Sequence, residues 1–265
     1  VKIKSSIIIL FTALLISAYS TESNENIRFG APSGGGKIIV KHGFVLSFDG
    51  ALKDPLWVSY CLKKENLPQA GPGRNGVFKP DASLKESYRT SRADYPDAYE
   101  KCPMAPAVDM AYNKKAFADV FVLSNVCPMS PALKNKKWRE LEEAVRGFVK
   151  KHGQAWVVTG PVFANGGKKQ KRTGVARIAV PSGFYKVILY QSEDFAFHAA
   201  GFYMDNRAED LPLASYMTSV TDIEAKTGLV FFGVFPPEVR AQMKKKSSGE
   251  DFLGNKGSMI PAGKP

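Results

Sequence analysis

The run Tyr99-Glu100-Lys101-Cys102-Pro103-Met104-Ala105-Pro106-Ala107-Val108-Asp109-Met110 decides how this chain of 265 residues is read. The charged pair Glu100 and Lys101 gives way to a small, mostly apolar stretch closed by Asp109, and the segments on either side fix its context. Ser91-Arg92-Ala93-Asp94-Tyr95 precedes it, and Phe117-Ala118-Asp119-Val120-Phe121-Val122-Leu123-Ser124-Asn125-Val126-Cys127-Pro128 follows. From Lys134 to His152 the apolar residues Trp138, Leu141, Val145 and Phe148 recur at helical spacing and Gly153 supplies a stop signal, which predicts a helix. Glu142 and Arg146, at i and i+4, share one face of it and are near enough to pair. Strands are predicted at 104–108, 120–125, 155–159, 176–180, 184–191 and 195–204, with two more between 40 and 60 around Asp49-Gly50.

Further along come Val157-Val158-Thr159-Gly160-Pro161-Val162-Phe163, then Val180-Pro181-Ser182-Gly183-Phe184-Tyr185-Lys186-Val187, then Asp222-Ile223-Glu224-Ala225-Lys226-Thr227-Gly228-Leu229. Taken in this order over residues 40 to 235, the segments resemble the DNA/RNA non-specific endonucleases. That ββα-metal, or His-Me finger, family includes secreted bacterial nucleases and mitochondrial endonuclease G. Its central run reads Y-D-R-G-H-[LM]-A-P-A-A-D, its next strand F-x-L-S-N-x-x-P and its helix L-N-x-x-x-W-x-x-L-E. Several such segments in the right order are a specific signal, where one alone is weak. The resemblance implies an α+β fold with a mainly antiparallel central sheet flanked by helices. The nuclease motif would lie at 99–150, within an endonuclease-like domain over 41–240.

The same alignment shows what has changed. Glu100 falls on the family's aspartate, Lys101 on its arginine, Cys102 on its glycine and Pro103 on its catalytic histidine. Lys134 falls on the metal-binding asparagine, while Glu142 and Arg146 match the family's helix glutamate and arginine. Family members hydrolyse phosphodiesters with one divalent metal ion and a histidine that activates water. Proline has no titratable group and no backbone N–H, and loss of a general base alone costs roughly 10² to 10⁴ in rate. A charged ammonium offers only donors, and two unit charges about 4 Å apart interact by roughly 4 kcal/mol at an effective dielectric near 20, a value a dication doubles. No metal is therefore expected, with Mg2+ required if the protein is active. Asn135 and Glu142 are the residues left to hold it, although Asn135 should point about 100° away from Lys134 on a regular helix.

Formal net charge is +12, which favours polyanions. Lys101, Lys134 and Arg146 are expected to converge on a phosphate, with the run Lys168, Lys169, Lys171 and Arg172 extending the field along DNA or RNA. The ordinary alternative is a solvated loop and helix face. Three histidines, His42, His152 and His198, stand outside every motif. Three cysteines, Cys61, Cys102 and Cys127, allow at most one internal disulfide. Family topology puts Cys102 and Cys127 on neighbouring strands, as the candidate pair, and the alternative reading is that Cys127 is a small buried residue.

Residues 1–20 combine a basic start, the apolar run 7–16 and Ala18-Tyr19-Ser20, which reads as a secretory signal and predicts export to the periplasm or medium. Residues 21–40 read as a flexible leader and 241–265 as a loose tail. The reading favoured is an exported family member that binds nucleic acid with impaired or lost phosphodiesterase activity. The alternatives are an active metal-dependent endonuclease with a rearranged site, and a non-catalytic exported protein that binds another partner or polyanion.

Overall fold

A computed structural model describes residues 24–68, 76–167, 170–192, 195–207, 210–245 and 250–253. Its strands are β1 (Lys37–Val40), β2 (Val45–Asp49), β3 (Asp54–Lys63), β4 (Glu100–Pro103), β5 (Val126–Met129), β6 (Gln154–Val162), β7 (Arg172–Thr173), β8 (Ile178–Ala179), β9 (Gly183–Gln191), β10 (Phe197–Asp205) and β11 (Met217–Thr218). Seven of them form one antiparallel sheet in the order β1-β2-β3-β6-β9-β10-β11, while β4 pairs with β5 and β7 with β8 in two ribbons. The principal helices are α1 (Lys114–Val120), α2 (Arg139–His152), α3 (Val220–Thr227) and α4 (Pro237–Met243). This is the α+β architecture that the sequence resemblance implies.

Strands β3, β6 and β9 are buried along almost their whole length, so the sheet is covered on both faces. Alternation along each strand sorts their side chains. Val58, Tyr60 and Leu62 join Phe184, Ile188 and Tyr190 on one face, and Trp57, Cys61, Tyr185, Val187 and Leu189 occupy the other. Leu141, Val145 and Phe148 of α2 seal the first face; Val220 and Ile223 of α3 seal the second. Burying side chains of this size contributes roughly 1.5 to 3 kcal/mol each. At the end of α2, Gly153 takes a φ of 95°, and its N–H donates to the Val149 carbonyl at 2.8 Å.

The strand expectations hold for 155–159, 184–191 and 195–204 and for the pair between 40 and 60, with β1 as an extra edge. They are displaced elsewhere. The stretch 104–108 is irregular, because Pro106 has no N–H and Ala105 is held by the Asn125 side chain, whose Oδ1 accepts from Ala105 N at 3.0 Å. The stretch 120–125 is mostly a helix end and a 3₁₀ turn. Asn113 caps α1 by accepting from Lys115 N at 2.8 Å and Ala116 N at 3.1 Å, and the chain pairs only from Val126.

Both ends are also better packed than expected. From Asn24 the leader lies on the sheet: Asn26 Oδ1 accepts from Cys61 N at 3.0 Å and Phe29 meets Trp156 with ring centroids 4.6 Å apart. Gly and polar content had suggested flexibility, and the anchoring comes from Asn26 and Phe29. In the tail, Lys244 reaches Glu224 at 2.5 Å and Phe252 stacks on Phe148 at 4.9 Å, so packing continues past residue 240. The secretory segment 1–20 lies outside the described residues.

Asn125 joins these parts. Besides Ala105 N it bonds the Ala105 carbonyl at 3.2 Å and the Val120 carbonyl at 3.0 Å, all in the interior. Asn125→Ala is expected to lower unfolding free energy by about 2 to 4 kcal/mol, since several buried groups lose their partner at once. Urea denaturation checks this, and a loss under about 1 kcal/mol would deny Asn125 that role.

Candidate functional site

The ribbon β4–β5 and helix α2 hold the site between them. Register along the ribbon places Glu100 opposite Met129, Cys102 opposite Cys127 and Pro103 opposite Val126. After Ser130, whose hydroxyl caps Leu133 N at 3.3 Å, comes the turn Pro131–Leu133, and residues Lys134–Trp138 then form a π-helical turn leading into α2. A π turn is wider than an α turn and rotates less per residue. Lys134 and Asn135 consequently reach the same group: Lys134 Nζ donates to Glu100 Oε2 at 2.5 Å and Asn135 Nδ2 to Glu100 Oε1 at 2.7 Å. The expectation that Asn135 points away from the site is corrected by that local geometry.

Deeper in, Arg146 Nη1 donates to Asp109 Oδ1 at 3.0 Å, and Tyr60 OH donates to Asp109 Oδ2 at 3.1 Å. Arg146 therefore takes Asp109 as its partner in place of the Glu142 expected from helical spacing. Asp109 is 1% exposed and so is a buried anion fixed between sheet and helix. Burial pushes its carboxyl up in pKa, opposed by Arg146. Glu142 stands beside this pair, partly open at the surface with its carboxyl enclosed by protein. Desolvation pushes it from 4.5 to about 7, against the pull of Lys186.

Lys186 completes the group. It is fully buried on β9, its ammonium lies 4.7 Å from the centre of the Trp138 ring, and it has no hydrogen-bond partner among the described residues. Burial lowers its pKa, and the Glu142 and Asp109 carboxylates work the other way. Glu100, Asp109 and Glu142 are thus set against Lys134, Arg146 and Lys186. The cluster balances its own charge.

The other expected cations do not join it. Alternation along β4 sends Lys101 to the face opposite Glu100 and Cys102, where its ammonium lies 5.5 Å from the Tyr95 ring centre. Lys171 lies 5.4 Å from the Tyr99 ring centre, and Arg172 Nη1 is engaged by the carbonyls of Ala51 at 2.8 Å and Arg177 at 3.1 Å. Convergence of Lys101 with Lys134 and Arg146 is corrected accordingly, and Arg172 braces loops. Lys168 and Lys169 lie outside the described residues.

Cys102 and Cys127 are opposed in register as expected, yet both are free thiols. The disulfide expectation is corrected. Burial raises both thiols, the buried Asp54 carboxyl adding to the effect on Cys127 and Glu142 to that on Cys102. The histidines have partners elsewhere, His42 at Asp119 (2.7 Å), His152 stacked on Phe148 (4.3 Å) and His198 at Ser192 Oγ (3.0 Å).

Sequence reasoning passed over Asp109 and Lys186. Asp109 closes the opening run, and Lys186 interrupts an otherwise apolar strand; a charge so placed is a signal of a paired interior group.

The sequence profile of the DNA/RNA non-specific endonucleases matches residues 22–237. The chain belongs to that family. It is 30% identical over 217 residues to mitochondrial endonuclease G of Homo sapiens, covering 78% of this chain and 73% of that protein. It is 29% identical over 247 residues to the nuclease of Serratia marcescens, covering 89% and 91%. Among solved structures, a chain of the EndoG/EndoGI complex superposes with a TM-score of 0.74 at 27% identity, over 82% of this chain and 95% of that one. Membership in the non-specific endonuclease family rests on the whole domain and leaves the chemistry to the residues just described.

Glu142 sets a pH dependence. A carboxyl raised from 4.5 to about 7 in the folded state holds its proton more tightly there than in the unfolded chain. Its contribution to stability is present below about pH 4.5, declines as pH rises to about 7 and is absent above. Glu142→Gln should therefore flatten the fall in stability between pH 5 and pH 8 in denaturant titrations. Parallel curves for the two proteins would contradict the burial of this carboxyl.

Proposed function

We propose that this protein is an exported, nucleic-acid-binding member of the non-specific endonuclease family whose phosphodiesterase activity is impaired or lost. The observation that carries the reading is the contact of Lys134 with Glu100 at 2.5 Å. Where the family alignment calls for a neutral metal ligand, this chain puts a cation already paired to the adjacent strand.

A divalent metal does not fit the side chains present. Asn135, the amide left to hold one, turns its Nδ2 to Glu100 and stands beside the Lys134 ammonium. A dication would enter a cluster whose charges already cancel, and it would meet the Lys134 ammonium. Pro103, aligned with the catalytic histidine, cannot take a proton from water. No hydrolytic step follows from these residues.

What they support is binding. Lys136 is exposed on the π turn, and Lys171 and Lys101 lie beside Tyr99 and Tyr95. Such cations contact phosphates without reading base sequence. Export rests on the secretory pattern of residues 1–20, and no described helix is long and apolar enough to cross a membrane. Secretion of a reporter fused after residue 20, abolished when the apolar run is broken by charge, tests it.

Purified protein is expected to show little Mg2+-stimulated cleavage of plasmid or RNA. Pro103→His combined with Lys134→Asn should recover more activity than the two single changes would give together, because base and metal serve one step. Strong chelator-sensitive cleavage by the unaltered protein, free of contaminating nuclease, would overturn the loss of activity.

A further inference from the structure

The ion pairs of the site differ in whether a ligand can exchange with them. Arg146 is bound to Asp109, which is 1% exposed and also holds Tyr60, and Lys186 is fully buried. Lys186 is closed to a phosphate, and Arg146, 17% exposed, has its Nη1 committed to Asp109. Lys134 and Glu100 are different: their side chains are 28% and 35% exposed, and Asn135 is exposed as well. A partly solvated pair of this kind is held by a small net free energy.

The geometry of that contact is also specific. Two donors from consecutive residues, Lys134 Nζ and Asn135 Nδ2, meet the two oxygens of one carboxylate at 2.5 and 2.7 Å. The π turn makes this possible by turning both side chains to the same side. A phosphate presents two oxygens in a similar way, with more negative charge than a carboxylate when it is a monoester and the same charge when it is a diester. Glu100 is partly exposed on β4, so its carboxylate is within reach of solvent.

We propose that Lys134 Nζ and Asn135 Nδ2 form a phosphate-oxyanion site that the Glu100 carboxylate occupies as a built-in substitute, so that phosphate binds there only by displacing Glu100. This deepens the nucleic-acid-binding reading and names the regulation of the same site. Glu100 is a competitor that holds affinity down, and Asn135 is a binding residue in its own right.

The test compares the unaltered protein with Glu100→Gln, Lys134→Gln and the double variant. Each is titrated with a short fluorescein-labelled single-stranded DNA and, separately, with inorganic phosphate. Glu100→Gln should bind the oligonucleotide about two- to fivefold more tightly at low salt, the size of one partly screened charge pair. Its plot of log K against log salt should steepen by about 0.7, one further phosphate contact on a single strand. Lys134→Gln in the Glu100→Gln background should abolish the gain. A folded Glu100→Gln that binds neither oligonucleotide nor phosphate more tightly, or a gain that survives loss of Lys134, overturns the proposal. A Lys134-dependent gain for inorganic phosphate alone supports the oxyanion site and removes the nucleic-acid reading. Should Glu100→Gln melt far below the unaltered protein, Glu100→Ala carries the same comparison, since it too removes the competing charge.

Discussion

An ammonium and a carboxylate 2.5 Å apart, Lys134 on the π turn and Glu100 on β4, join the helical and strand halves of the nuclease motif. Behind them, Asp109 with Arg146 repeats the pairing at greater depth, while Lys186 and Glu142 influence one another through space without a direct contact. Lys134 and Arg146 are each held by a carboxylate of this same chain. Isolated buried charges are expensive, so compensation is a condition for the group to exist at all. The chain keeps the architecture of the non-specific endonucleases and places two side-chain cations, Lys134 and Arg146, against carboxylates in it.

That arrangement depends on how the polypeptide is packed. A sheet covered on both faces gives Lys186 a place under Trp138 that water cannot reach, and the first-face core fixes α2 against Tyr60 and Phe184. Asn125 ties the loop after β4 to the end of α1, which sets where Asp109 arrives beneath Arg146. The π turn then brings Asn135 alongside Lys134.

Much of this was legible from residues alone. The order of segments from Ser91 to Leu229 carried the resemblance to the family, and that resemblance implied the antiparallel sheet. Helix α2 was legible from Trp138, Leu141, Val145 and Phe148, whose spacing is a direct image of its buried face. The partner of Arg146 was not, since helical spacing favours Glu142 and only the tertiary fold brings in Asp109. Strand alternation would have separated Lys101 from Glu100, a consequence of period two that the alignment with an arginine obscured. Asn135 was misplaced because a π turn leaves no mark in hydrophobic periodicity. Arg172 read as part of a charge run, while its guanidinium is committed to the carbonyls of Ala51 and Arg177. Packing of the leader depended on two residues, Asn26 and Phe29, inside a composition that suggests looseness.

The central claim is that Lys134, held by Glu100, takes the electrostatic place of a metal ion in this member of the family. Calorimetric titration of Mg2+ into the unaltered protein and into Lys134→Asn, at neutral pH and low salt, tests it most directly. The unaltered protein should show no saturable binding, and Lys134→Asn, with the ammonium gone and Glu100 released, should acquire a single site. One equivalent of Mg2+ bound by the unaltered protein, with an affinity that Lys134→Asn does not improve, would contradict the account.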